Sequence, residues 1–401
     1  MTSPSPKVGP QVALEVGPVE VGSVAHGGHC VARHDGRVIF VRHALPGEQV
    51  MVRITDRSHD RFWRGDAVRV LQPSPDRVTP PCAIAGPGLC GGCDFQHVDL
   101  AAQRALKAQV VAEQLQRLGG ISWTGSVEAV STPGTEDGLG WRTRMRYLVD
   151  DQGRAGLRAH RSHEVIALPE NGCVIASVAT PSVVEQRWPP GAAVQAVTSH
   201  GGPALLVDDT VNRGSSQVVE HAAGRDWSVA AAGFWQVHPG AADTLVRAVL
   251  EGLQPVEGER AFDLYCGVGL FAGALADRGC HVWGIESGPA AIQAARHNLS
   301  DVADRVRLSV GRVDRRLSQL PPRADLVVLD PPRTGAGKPV MVAIARRRPR
   351  AVAYVACDPA SLARDVGIAA GLGYRPVSIR AFDLFPMTHH VESVAILVPA
   401  D

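Results

Sequence analysis

Short valine-rich runs separated by Gly, Asp and Pro open the chain: QVALEVGPVEVGSV, GRVIFVRHAL, QVMVRITD and DAVRVLQ fall between residues 11 and 71. Apolar residues at a period near two mark half-buried strands, and several such runs with turn residues between them predict a small antiparallel barrel or sandwich. We read a five-stranded barrel of the oligonucleotide-binding (OB) type. Pro73, Pro75, Pro80 and Pro81 follow. Proline lacks the amide a central strand needs, so this stretch marks a linker and a boundary near residue 73. From Asp99 the period changes: an alanine-rich stretch carries Leu106, Val110, Val111, Leu115 and Leu118 and closes on Gly119 and Gly120, which predicts a helix over 99–119. Residues 141–230 return to strand-like, turn-rich text in which Arg142, Arg144, Arg146, Arg154, Arg158 and Arg161 suggest one basic face. After Gln254, the apolar runs AFDLY, VWGIE, RVRLSV, DLVVLD, VAYVAC and SVAILV alternate with helical stretches such as PAAIQAARHNL and SLARDVGIAAGL. That alternation predicts a doubly wound parallel sheet.

Composition narrows the class. With 401 residues, 45% hydrophobic and 20% charged, the chain can bury the cores of two or three domains, which excludes a disordered tail or a stapled mini-protein. Forty-one basic against forty acidic side chains leave a net charge of +1, so any basic surface must be local. All but three of the basic residues (Lys7, Lys107 and Lys338) are arginines. Arginine forks onto phosphates and stacks on bases, but genome base composition produces the same bias. Eight cysteines are too few for a secreted disulfide framework, and the opening MTSPSPKVGPQ has neither a charged n-region nor an apolar h-region. No apolar run reaches the roughly 18 residues of a membrane span. The expectation is a soluble protein of a reducing cytoplasm with no membrane partner.

The first strand of the C-terminal half ends in Asp263-Leu-Tyr-Cys-Gly267-Val-Gly269-Leu-Phe271, with two glycines where a strand turns into a helix and a ligand must approach the backbone closely. The second strand ends in Glu286, where a carboxylate can accept hydrogen bonds from both hydroxyls of a ribose. This suits any adenosine cofactor. The fourth strand runs through Asp330 into Pro331-Pro332-Arg333-Thr334-Gly335, at the edge where doubly wound folds bind ligands. A diproline after such a carboxylate is a methyltransferase signal. Enzymes that methylate exocyclic amines place an aromatic where this chain has Arg333, which disfavours that chemistry.

The fifth strand delivers Cys357 to the same edge, and Glu392 stands at the entry of the last strand, at the cleft end if that strand is antiparallel. A thiol and a base flanking one substrate fit methylation at an unactivated pyrimidine C5. The thiolate adds to C6, C5 takes the methyl of S-adenosylmethionine, and a base removes the C5 proton. Cys30, Cys266 and Cys280 are expected as core residues. A separate group, Cys82, Cys90 and Cys93 in PCAIAGPGLCGGC together with Cys173, makes a four-thiolate metal site for which zinc and a [4Fe-4S] cluster are comparably suited.

At this point the chain resembles the RNA uracil-5-methyltransferase family, which includes transfer-RNA and 23S ribosomal-RNA enzymes. The likeness rests on GFWQVHP at 233–239, DLYCGVGLF at 263–271, DPPRTG at 330–335, YVACDP at 354–359 and FPMTHHVES at 385–393. It implies that Gln236, Tyr265, Glu286 and Asp330 contact S-adenosylmethionine, that Cys357 is the nucleophile and that Glu392 is the base. It also implies a TRAM RNA-binding domain at 8–72, a central, mostly β domain with the cysteine site at 73–232, and a Rossmann-like methyltransferase domain at 233–401. By the same likeness the four cysteines hold a [4Fe-4S] cluster, helix 99–119 packs on the catalytic domain, and the partner of a monomeric enzyme is ribosomal or transfer RNA. Position 270 is Leu where several relatives carry an asparagine that touches the cofactor. Three alternatives stay open: methylation at another RNA position, methylation of another base, and an RNA-binding iron-sulfur protein whose methyltransferase fold is not catalytic.

Overall fold

The computed structural model describes residues 14–400. The expected domain start at residue 8, and residues 11–13 of the first strand run, lie outside them. Strands β1 (Glu15–Ala25), β2 (His29–His34), β3 (Arg37–Arg42), β4 (Gln49–Asp56) and β5 (Phe62–Gln72) close into a barrel in the order β1-β2-β3-β5-β4. Only β3 and β5 pair in parallel. Alternate residues such as Ile39, Val41, Val50 and Val52 fill its interior completely, as the period-two pattern requires.

Helix α1 (Leu100–Gly119) begins where Asp99 accepts from the Ala101 and Ala102 amides and ends at Gly120 in the left-handed region. A cap of that kind is worth about 1 kcal/mol. After α1 come β6 (Val127–Ala129) and a six-stranded antiparallel sheet. That sheet contains β7 (Arg144–Val149), β8 (Ala155–Arg158), β9 (Val165–Ala167), β10 (Ala193–Val197), β11 (Ala204–Val207) and β12 (Thr210–Arg213), in the order β12-β11-β10-β7-β8-β9. A hairpin, β13 (Gln217–Ala222) with β14 (Arg225–Ala230), follows.

The C-terminal layer runs α2 (Ala241–Leu253), β15 (Arg260–Leu264), α3 (Leu270–Ala276), β16 (His281–Glu286), α4 (Pro289–Asn298), β17 (Val306–Val310) and α5 (Val313–Arg316). It continues with β18 (Leu326–Leu329), α6 (Gly337–Ala345), β19 (Ala351–Ala356), α7 (Pro359–Ala370), β20 (Tyr374–Asp383) and β21 (Glu392–Pro399). Its sheet has eight strands in the order β17-β16-β15-β18-β19-β21-β20-β6. Five are parallel, as expected. β21 is antiparallel to β19, β20 is antiparallel to β21, and β6 joins the far edge parallel to β20. The expectation missed β20 and β6. The middle of β20 is only half-buried and carries Pro376 and two arginines, which blurs its period, while β6 is three residues long and lies far upstream of its partner.

Residues 73–232 are therefore shared out. Val111 and Leu115 of α1 pack with Ala363 of α7, and Trp227 of β14 lies fully buried in one core with α2 and α3. Among the described residues, no helix is long and apolar enough to cross a membrane.

Candidate active site

The parallel half of the sheet builds a cradle at its carboxyl edge. Gly267 has φ +52° and a Cβ there would meet open space, whereas a Cβ at Gly269 (φ +98°) would stand 2.8 Å from Leu299 Cδ1. The first glycine leaves room for a ligand; the second lets α4 pack. Glu286, at the end of β16, accepts from the Gly288 amide at 2.7 Å, the Ser287 hydroxyl at 2.9 Å and the Gly267 amide at 3.3 Å, so its carboxylate lies across the turn. Asp263 is completely buried: Oδ2 accepts from the Ala272 amide at 2.8 Å and Oδ1 has no partner among the described residues. Burial, helped by Asp330 and Glu286, pushes its carboxyl up to about 8. Tyr265 (φ +67°) is half-buried on the same turn, and burial raises its phenol to about 12. Leu270 points into the core. Gln236 is half-buried on the 233–239 segment, whose backbone is stapled to the central sheet: Val237 O accepts from the Thr143 amide and hydroxyl, both at 2.9 Å.

The antiparallel half builds the pocket. Ala356 of β19 pairs with Ser393 of β21, so one step further along the register Cys357 stands opposite Glu392. Burial raises the Cys357 thiol to about 11; Glu392, Asp330 and Asp358 push the same way, while the Arg333 guanidinium opposes them. Glu392 is buried, and burial together with Asp330 lifts its carboxyl well above the usual range against the pull of Arg333. Asp330 is raised by burial to about 7. The loop after Asp330 is held by Asp365 of α7, which accepts from the Tyr354 hydroxyl at 2.6 Å and from the Ala336 and Gly337 amides. Arg333 donates to His390 Nε2 at 3.3 Å, which puts the imidazole proton on Nδ1.

Distant segments roof this pocket, and the sequence had assigned none of their side chains to the site. A cavity of about 150 Å³ is lined by Cys357, Asp358, Arg333 and His390, by Lys107 and Val110 of α1, and by His26, Gly27 and Gly28 from the β1–β2 turn. A cavity of that size takes a single six-membered ring. His26 Nε2 lies 2.9 Å from Asp358, the residue after the cysteine and the cap of α7. A Cβ on Gly28 would fall 2.6 Å from that of His389, so the barrel turn rests directly on the 385–393 motif. Lys107, fully buried, donates to Asp383 at 2.6 Å and to Phe385 O at 3.0 Å. The faint signal for it was a lone lysine among alanines on an amphipathic helix.

Comparison with known proteins agrees with this arrangement. A family model described as the TRAM domain matches residues 15–68, and one described as tRNA (uracil-5-)-methyltransferase matches residues 230–399. An uncharacterised RNA methyltransferase of Streptomyces avermitilis is 49% identical over 428 residues, covering 95% of this chain and 98% of that protein. The chain belongs to the RNA uracil-5-methyltransferase family. The 23S rRNA (uracil(1939)-C(5))-methyltransferase RlmD of Shewanella piezotolerans is 29% identical across 94% of each chain. The crystal structure of Pyrococcus abyssi tRNA (uracil-54, C5)-methyltransferase in complex with S-adenosyl-L-homocysteine has a TM-score of 0.70 at 25% identity, covering 95% of this chain and 99% of that one.

Two further features of this family member bear on its partners. Cys82, Cys90 and Cys93 share one loop and Cys173 another; all four are free, half-buried thiols, and they act on one another electrostatically. Among the described residues, no three His, Cys, Asp or Glu side chains are gathered closely enough to hold a metal ion. The donor set itself, four thiols with Arg142 as the neighbouring cation, suits a thiolate-bound cluster. Asp94, next to Cys93, ties this loop to the pocket: its carboxylate receives the His389 amide at 3.2 Å and ring nitrogen at 2.5 Å, and Arg42 of the barrel at 3.3 Å.

The basic face expected along 142–161 does not form. Arg144 is half-buried, donating to Glu220 at 2.8 Å and to the carbonyls of Ala231 and Gly233, so it clamps the Gln236 segment. Arg146 pairs with Asp209, Arg154 with Asp150, and Arg142 is turned inward to Arg144 O. Of the six, Arg158 and Arg161 are left exposed without a carboxylate partner among the described residues. Spacing alone cannot show that a carboxylate sixty or more residues away neutralises a strand arginine.

Proposed function

We propose that this chain forms 5-methyluridine in ribosomal or transfer RNA through a covalent bond between Cys357 and C6 of the target uracil. Cys357 on the wall of a ring-sized cavity, with Glu392 opposite it in the antiparallel register, carries this reading. S-adenosylmethionine, when bound, supplies the methyl group; Gln236, Tyr265, Glu286 and Asp330 are the residues to hold it, and the unpartnered oxygen of Asp263 and the open face of Gly267 fit a polar ligand there. Burial favours the protonated form of both Cys357 and Glu392, so each must give up a proton before its step. Arg333 favours the thiolate. Its sulfur then adds to C6, and the electron pair of the C5–C6 double bond moves toward C5, which takes the methyl. Glu392, as carboxylate, removes the C5 proton; the electron pair re-forms the double bond and expels the Cys357 thiolate. A carboxylate that a dry site makes strongly basic suits that role.

Methyl transfer to RNA followed by nucleoside mass spectrometry tests the reading. Wild type should yield 5-methyluridine, Cys357→Ala none, with a loss of about 1,000-fold or more. Glu392→Gln should accumulate methylated, protein-linked RNA, and 5-fluorouridine RNA should trap wild type likewise. Methylation at another position, or an adduct that persists in Cys357→Ala, overturns it. For Cys82, Cys90, Cys93 and Cys173 the proposed group is a [4Fe-4S] cluster, with a structural or RNA-contacting role, since methyl transfer needs no electron. Anaerobic protein should be brown, with roughly four iron and four sulfide per chain; one zinc and no iron overturns the cluster and keeps the site. The eight free thiols support a reducing, cytoplasmic setting.

A further inference from the structure

The loop that holds Cys82, Cys90 and Cys93 is also the seat of the 385–393 motif. Cys93 and Cys173 pack against one apolar cluster with Trp141, Ile175 and Met387. Met387 turns the motif there at φ +67°, and both of its backbone groups are held from outside: its carbonyl accepts from the Phe95 amide at 2.9 Å, and its amide donates to Gln103 Oε1 at 2.9 Å. Gln103 returns through Nε2 to the carbonyls of Phe95 and Val98, at 3.1 and 2.9 Å. Between Cys93 and Phe95 stands Asp94, buried, with its two oxygens divided. Oδ1 accepts from Arg42 of β3, and Oδ2 accepts from the amide and ring of His389. The line continues past His389. Its ring lies against that of His390 with 4.1 Å between centroids, His390 Nε2 accepts from Arg333 at 3.3 Å, and Arg333 is the cation that eases the Cys357 thiol toward its anion.

We propose that Asp94 is a positioning residue for methyl transfer, a role that rests on the uridine-methylating reading above: by holding His389 it sets His390, and through His390 the Arg333 guanidinium, against Cys357. The chemistry of the contact calls for a carboxylate. Arg42 and the His389 amide can only donate, so the side chain between them must accept at both oxygens. An asparagine accepts at one atom and turns an NH2 on the other neighbour, which leaves either a buried guanidinium or the motif unheld. The barrel closes over the pair. A Cβ on Gly28 would fall 2.6 Å from His389 Cβ and 3.2 Å from Asp94 Cβ, so a glycine there lets the β1–β2 turn lie directly on both. Asp94 is thus the point where the barrel, the cysteine loop and the catalytic motif meet on one side chain, and the nucleophile lies at the far end of the line it anchors.

Full-length Asp94→Asn and His389→Ala break the same contact from opposite ends, the second without touching the cysteine loop. Both should lower kcat for methyl transfer about 10- to 100-fold, the worth of a hydrogen bond to a charged group, and leave KM for S-adenosylmethionine within about twofold. Alkylation of Cys357 by iodoacetamide at about pH 8.5, followed on its peptide by mass spectrometry, gives a readout that needs no RNA. A displaced Arg333 makes the thiolate rarer, so both variants should react about 3- to 10-fold more slowly than wild type. A pocket that had merely loosened would expose the thiol and react faster. In an Arg333→Gln background, Asp94→Asn should cost less than about twofold more, because the path it acts through is already cut. Faster alkylation, the full additional loss in the Arg333→Gln background, or unchanged methyl transfer in both variants overturns the positioning role. If the alkylation results hold but wild type makes no 5-methyluridine in any RNA, Asp94 still sets Arg333 and the uridine-methylating reading fails.

Discussion

The two halves of the C-terminal sheet are built in different ways. On the parallel side, Asp263, Tyr265, Gly267 and Gly269 lie within seven consecutive residues, and Glu286 closes the cradle from the neighbouring strand. On the antiparallel side, a cavity around Cys357 is walled by segments from the barrel, from α1, from the loop after Asp330 and from the 385–393 motif. The first kind of site needs only a strand, a turn and a helix to fold locally. The second exists only when the whole chain has come together, so damage far from the chemistry should reach one side and spare the other.

The largest expected separation comes from Lys107→Met. It leaves Asp383 buried without its cation, a loss of about 3–5 kcal/mol, and frees the motif that carries His389, His390 and Glu392. Methyl transfer should fall while S-adenosylmethionine binding, measured by calorimetry on the folded fraction, stays within the normal range. Because paired apolar replacements of buried ions are often neutral, Lys107→Met with Asp383→Leu should regain stability. Equal loss of both functions in the single variant would break the comparison. Glu286→Ala is the converse. Removing a charged acceptor should weaken S-adenosylmethionine binding roughly 10- to 100-fold and leave the reaction of Cys357 with 5-fluorouridine RNA lacking only its methyl donor.

A smaller effect separates two thiols at the same sheet edge. Cys357 is raised to about 11, so its thiolate forms only as pH climbs, and its alkylation by iodoacetamide should rise about tenfold per pH unit from 7 to 10. Cys266 is pushed up further by burial, Asp263 and Glu286, and should stay unmodified over that range. A flat rate for Cys357 between pH 7 and 9 would show that the pocket thiol is already ionised.

What the sequence made legible follows the same division. The cradle could be read because its turn chemistry is local: glycines at fixed offsets after an apolar strand, then a carboxylate at the next strand end. Cys357 and Glu392 stood out in the sequence as single residues, and the antiparallel register places them opposite one another. His26, Lys107 and Asp94 were not, since each acts through a partner between 276 and 332 residues away and leaves no periodic trace. Arg144 and Arg146 show the reverse case, a regular spacing whose charges are cancelled by tertiary pairing.

The ion pair between α1 and the end of β20 also sets an order of events during synthesis. Lys107 leaves the ribosome 276 residues ahead of Asp383, a delay of roughly 14 to 55 s at about 5–20 residues per second. Through that interval the face of α1 that carries Val111 and Leu115 has no catalytic helix to lie on, and β6 has no strand to join. The barrel is complete by then, and Leu106 and Val110 of α1 share its core cluster, so the newborn helix has a first resting place there. The N-terminal module thus holds the helix for the sheet that arrives last, and a chain begun after the barrel would expose that face to aggregation while it waits.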